Sequence, residues 1–112
     1  MKYLLVVLLL VGTLCVLASR ARGGQPMASR SAAETYTKSC ASCHGKDGRA
    51  KTFKGKLKHT RDLTDPEWQA KASDERIFYS ITNGKGKMPS FGKKLSEPEI
   101  NALVTYVRGL KK

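Results

Sequence analysis

Cys40-Ala41-Ser42-Cys43-His44 restricts the fold of this chain more tightly than any other stretch. A C-x-x-C-H run is the attachment signature of c-type haem. Two thiols three positions apart can each add across one vinyl group of a porphyrin. The histidine beside the second thiol is then held against the iron as its proximal ligand. A bare C-x-x-C also serves zinc sites and thiol redox pairs. The adjoining His44, an export-like segment upstream and a methionine downstream favour haem over both.

A chain of 112 residues has room for one domain. Met1-Lys2 is a short positive start, and Tyr3 to Ala18 is apolar apart from Gly12 and Thr13. Ser19-Arg20-Ala21-Arg22 then turns polar and basic. This is the layout of a secretory signal peptide over residues 1–18, cut after Ala18 or alternatively Ala21. The apolar run is shorter than the roughly 20 residues a spanning helix needs, and an uncleaved N-terminal anchor is the alternative. Cys15 raises a third reading, a lipid-anchored cysteine, against which the bulky Leu14 stands. Residues 19–30, with Gly23-Gly24 and Pro26, read as a flexible linker, and 31–112 as the folded domain. The expected location is the periplasm, with or without a membrane tether. Removal of the signal leaves Cys40 and Cys43 as the remaining thiols, and haem attachment uses both.

Lysine and arginine total 21 against 9 acidic residues, a formal net charge of +12. Nucleic acid is the usual partner of so basic a chain. Export and the lack of a recognition motif exclude it here. A basic face that steers the domain onto an acidic protein or toward anionic lipid fits better. Lysines that serve solubility alone are the plain alternative.

The apolar spacing is helical throughout, and no run reads as a strand of useful length. Ser31 caps a helix over Ala32 to Ser39. Asp47 to His59 shows no period and reads as irregular. Thr64-Asp65-Pro66-Glu67 opens a short helix that contains Trp68. Ser73-Asp74-Glu75 starts another, with Ile77, Phe78 and Ile81 on one side and Gly84 at its end. Ser96 and Glu99 have the spacing of a capping box, followed by Ile100, Leu103, Val104 and Val107 at i, i+3, i+4 and i+7. The fold class is therefore all-α: three to four short helices packed around one covalently bound haem. So small a domain buries little apolar surface unaided, and a porphyrin supplies what the side chains lack.

Met88 lies in the glycine-rich loop Gly84-Lys85-Gly86-Lys87-Met88-Pro89-Ser90-Phe91. Glycines let such a loop fold tightly, and Pro89 stiffens the segment carrying the thioether. Met88 is expected as the distal iron ligand opposite His44, and methionine/histidine ligation raises the reduction potential. A methionine that merely fills a core gap is the rival reading. His59 is the competing ligand, but Lys56, Lys58 and Arg61 around it suggest a solvated surface. Met27 falls in the linker and is discounted. Trp68 and Arg61 carry donors suited to a haem propionate.

With these motifs in place, the chain resembles the class I monohaem cytochromes c, especially the small soluble bacterial type. The resemblance spans Ser31 to Lys111 and rests on Cys40 to Gly45, the Met88-Pro89 loop and the final helix ending Tyr106-Val107-Arg108. It implies that the first and last helices cross, with Ala32 and Tyr36 meeting Leu103 and Tyr106. It also implies one-electron transfer rather than enzymatic catalysis, with iron cycling between Fe(III) and Fe(II). Partners are expected to be acidic-faced redox proteins that bind transiently to a monomer. Lys38, Lys46, Lys85, Lys87, Lys93 and Lys94 are candidates for the docking ring. A relay subunit of a larger dehydrogenase or oxidase, or a peroxidase-like haem enzyme, is the alternative.

Overall fold

The structure is a computed structural model and describes residues 30–112. The expected signal peptide, the expected linker up to residue 29, Cys15 and Met27 lie outside the described residues. Among the described residues six helical segments follow in order: α1 Ala32–Ser39, α2 Ala41–His44, α3 Phe53–Leu57, α4 Pro66–Lys71, α5 Asp74–Asn83 and α6 Glu97–Gly109. Among the described residues the β contribution is one isolated bridge, Lys85 with Met88. The all-α expectation holds. The stretch Asp47 to His59 is not wholly irregular, however, because α3 forms inside it.

Each longer helix starts where its cap dictates. The Ser31 hydroxyl accepts from the Glu34 backbone N–H, and the Glu34 carboxylate accepts from the Ser31 N–H at 3.0 Å. Ser96 and Glu99 make the same reciprocal box at the start of α6. Asp65 and Ser73 cap α4 and α5 by accepting from Glu67 N–H and Arg76 N–H. These caps satisfy amides that the first helical turn leaves without partners.

The core forms where α1, α5 and α6 meet. Tyr36 and Leu103 are each only 1% exposed, and Ile77, Ile81, Ile100, Val104 and Val107 are buried around them. Tyr36 packs on Tyr106 with ring centroids 4.8 Å apart and planes tilted by 38°. The crossing implied by the family resemblance is thus formed, with Ala32 half-buried at its edge. Phe78 is half-buried, so the apolar side of α5 is narrower than its sequence suggests.

A polar clamp joins α6 to α4 and α5. Gln69 is buried, and its side-chain amide donates to the carbonyls of Leu63 at 2.9 Å and Val107 at 2.8 Å. Arg108 donates through Nη1 to the Gln69 carbonyl at 2.7 Å and side-chain oxygen at 2.9 Å, and through Nη2 to the Ala72 carbonyl. Its Nε donates to Asp74 at 2.7 Å. One guanidinium therefore satisfies carbonyls at the end of α4 and a carboxylate at the start of α5.

Hydrogen bonds to a charged donor contribute about 1.5–3 kcal/mol each, partly offset by water in the variant. Arg108→Ala is accordingly expected to cost about 2–3 kcal/mol, read as a lower denaturant midpoint of the ferric protein. The Ser96 hydrogen bonds hold the Glu99 carboxyl below its ordinary value of 4.5. Its contribution to stability is present above that value and is lost as pH falls through the lower folded-state value. Glu99→Gln, which can keep the box but does not ionise, should give a shallower acid limb in stability-against-pH measurements.

Candidate haem site

Cys40 ends α1 and precedes α2, at φ −116° and ψ −36°. Positions 40, 43 and 44 stand at i, i+3 and i+4, which places both thiols and the imidazole on one side of the turn. The backbone makes this turn rigid: His44 N–H donates to the Cys40 carbonyl at 3.0 Å and Cys40 N–H to the Tyr36 carbonyl at 2.8 Å. The buried Tyr36 hydroxyl donates to the Gly45 carbonyl at 2.8 Å, tying the end of the motif to the core. Neither cysteine is in a disulfide, and both are half-buried. Burial, with Cys43 alongside, pushes the Cys40 thiol up to about 11.

The His44 ring is oriented by Arg61, whose backbone carbonyl lies 3.0 Å from Nδ1. A carbonyl only accepts, so Nδ1 carries the proton and Nε2 keeps its lone pair for a metal. Burial lowers the imidazole below its ordinary value, and the Arg61 hydrogen bond opposes that shift. Both nitrogens are thereby assigned.

The α2 turn rests on α3. The Thr52 hydroxyl is shared between the carbonyls of Ser42 at 2.9 Å and Cys43 at 3.0 Å, and accepts from the Gly55 N–H at 2.9 Å. Gly55 lies against the Cys43 carbonyl so closely that a Cβ there would collide with it, and would stand 2.8 Å from the Ala50 carbonyl oxygen.

Met88 is half-buried and packs against the same core cluster as Cys40. Its loop closes by paired backbone bonds, Lys85 N–H to Met88 O at 3.1 Å and Met88 N–H to Lys85 O at 3.0 Å. Gly84 ends α5 at φ +75°, and a Cβ there would lie 2.7 Å from the Met88 carbonyl oxygen. Phe91 and Gly92 N–H groups donate back to Ile81 O and Thr82 O at 2.9 and 3.0 Å. The methionine segment is therefore held at both ends against α5.

His59 is exposed, at φ +52°, in the turn after α3. The side chain of Arg61 is exposed, while its carbonyl serves His44. Trp68 packs half-buried against the core. Lys38, Lys46, Lys85, Lys87, Lys93 and Lys94 are all exposed. The roles of Thr52, Gly55 and the Arg61 carbonyl were missed from sequence. The cap-like Thr52 three residues before Gly55 was the one visible signal among them.

A family model described as cytochrome c oxidase, cbb3-type, subunit III matches residues 28–107. The chain belongs to the cytochrome c family. It is 37% identical over 93 residues to the cbb3-type oxidase subunit FixP of Azorhizobium caulinodans, covering 82% of this chain but 30% of that protein. It is 33% identical over 106 residues to cytochrome c6 of a Picosynechococcus species, covering 88% of this chain and 90% of that one. The chain thus spans under a third of the oxidase-subunit relative and most of the c6 relative. The solved structure of the c-type cytochrome KustC0563 superposes with a TM-score of 0.68 at 42% identity, covering 74% of this chain and all of that one.

A cytochrome c carries haem c with its iron, covalently bound, and the residues present fit that group. Two half-buried thiols lie one turn apart, and an imidazole is fixed in the tautomer that a metal needs. Soft sulfur and imidazole nitrogen are donors suited to haem iron.

Gly55 supplies a test of this local packing. Alanine is favoured over glycine in a helix by about 1 kcal/mol, but a backbone clash costs about 1–3 kcal/mol. Gly55→Ala is expected to lower the thermal midpoint and the yield of haem-loaded protein. Gly109→Ala, where a Cβ meets nothing within 4 Å, should do neither.

Proposed function

We propose that this chain is a one-electron carrier in which Cys40 and Cys43 hold the haem through thioethers while His44 and Met88 take the two axial positions. The bound haem supplies an iron that alternates between Fe(III) and Fe(II). Cys40 and Cys43 would attach it, and His44 and Met88 would supply nitrogen and sulfur to its iron. Arg61 keeps Nε2 of His44 unprotonated, and the paired Lys85–Met88 backbone bonds present a thioether that needs no deprotonation. With both positions filled, substrates have no open coordination site, which argues for electron transfer over peroxidase-like chemistry. The observation that supports this reading is the 3.0 Å contact between His44 Nδ1 and the Arg61 carbonyl, because it leaves Nε2 with a lone pair suited to a metal.

The setting we infer is outside the cytoplasm, where the carrier shuttles as a monomer between acidic-faced redox proteins. The exposed lysines at 38, 46, 85, 87, 93 and 94 would favour fast, salt-sensitive encounters. The match to a cbb3-type oxidase subunit supports a second reading, a relay domain held within a larger oxidase. Such a relay would stay with its partner at high salt, whereas a shuttle would dissociate.

Removing the distal ligand tests the proposal. Met88→Ala should give a high-spin ferric spectrum, a lower midpoint potential and ready carbon monoxide binding in the ferrous form. His59→Ala should change none of the three. An unchanged spectrum and midpoint in Met88→Ala would remove methionine ligation from the account.

A further inference from the structure

The helix α3 presents an apolar pair that lies outside the buried core cluster. Phe53 is 81% exposed and Leu57 61% exposed, the first and last residues of the same five-residue helix. At about 100° per residue, Phe53 and Leu57 share one face and Gly55 lies opposite them, about 180° away. Gly55 is the residue pressed onto the Cys43 carbonyl. The pair therefore points away from the C-x-x-C-H turn, outward, at about one helix diameter, roughly 10 Å, from the backbone of Cys43. Lys54 and Lys56 fall on either side of this stripe, and both are exposed.

Two large apolar side chains held outward on a rigid turn have no role in the core. Thr52 and Gly55 fix α3 from behind, so the pair cannot fold inward without breaking the hydrogen bonds to Ser42 and Cys43. Apolar anchors flanked by cations match a surface where apolar area is flanked by carboxylates. The helix is too short, and has too narrow a stripe, to lie stably in a membrane interface.

We propose that α3 is the anchor of a docking face for an acidic redox protein, with Phe53 and Leu57 entering an apolar patch and Lys54 and Lys56 pairing with carboxylates around it. The proposal rests on the electron-carrier reading and adds where the partner sits. It places the contact directly over the backbone of the second haem-attaching cysteine.

The test is stopped-flow reduction of the ferric holoprotein by flavodoxin hydroquinone, an acidic protein reductant that gives up one electron and becomes the semiquinone. Ascorbate serves as the small reductant. The Phe53→Ser/Leu57→Ser variant is expected to be reduced by flavodoxin about tenfold more slowly, the loss of one hot-spot contact. Its rate with ascorbate, visible spectrum and midpoint should match the native protein. Lys54→Glu/Lys56→Glu should slow the flavodoxin reaction at low salt and lessen its salt dependence, and Tyr79→Ser, 61% exposed on α5, should have no effect. An unchanged flavodoxin rate in the Phe53/Leu57 variant overturns the proposal. So does a shifted spectrum or midpoint, which would make the pair part of the haem site. Native-only binding to phosphatidylglycerol vesicles with an unaltered flavodoxin rate would make the face a lipid contact. A native dimer dispersed by the substitutions would make it a self-interface. A native protein that neither ascorbate nor flavodoxin reduces would instead defeat the electron-carrier reading.

Discussion

The phenol of Tyr36 connects the two halves of this molecule. Its ring fills the crossing of α1 with α6 against Tyr106, and its hydroxyl reaches the Gly45 carbonyl just past the C-x-x-C-H turn. Burial raises that phenol well above its ordinary value, so it remains a hydrogen-bond donor at any physiological pH. A buried hydroxyl without a partner is costly, and so is a buried carbonyl. Here each satisfies the other. The apolar packing of the terminal helices and the placement of the C-x-x-C-H turn are consequently one structural event.

Around that turn the geometry is set mainly by main-chain atoms. The carbonyls of Ser42 and Cys43 receive Thr52, the Arg61 carbonyl orients His44, and the Met88 segment closes on Lys85 through its own amides. Backbone groups have fewer conformations to lose than long side chains, so they position a ligand with little entropic loss. This arrangement also leaves the imidazole Nε2 and the thioether uncommitted to other protein groups. The loops between helices are thus as necessary to the site as the motif itself.

That division explains what could be read from the residues. The motif, the final capping box, the apolar stripe of α6 and the α1–α6 crossing carry residue-type signals, and each appears in the structure. Helix α3 carries only one, the Thr52 cap. It has five residues, a glycine at its centre and an apolar face turned to solvent, so hydrophobic periodicity has nothing to register. The Arg61 carbonyl is equally silent, because every residue has a carbonyl. Gln69 and Arg108 form a clamp whose members lie far apart in sequence, and their pairing emerges only once α4 and α6 are packed. At Ser31 the capping residue is legible, and Glu34 three residues on completes the box in the structure.

The distribution of charge follows from the same local demands. All nine acidic residues fall within the described region, and most are occupied by backbone or ion-pair partners. Glu34, Asp47, Asp62, Asp65 and Glu99 accept from main-chain amides of caps and turns. Asp74 holds Arg108 and Glu67 holds Lys71, the two ion pairs among the described residues. Glu75 and Glu97 occupy the first turns of α5 and α6, where negative charge complements the helix dipole. The acids are therefore committed to shaping the fold, and few remain to neutralise lysine. Among the described residues most basic side chains are exposed and outside the two ion pairs, and their excess positive charge acts as an external field. A field of that sign attracts acidic surfaces from beyond contact range and weakens as salt is added. Orientation at contact needs something less symmetric than net charge, which is the part proposed for Phe53 and Leu57 between Lys54 and Lys56.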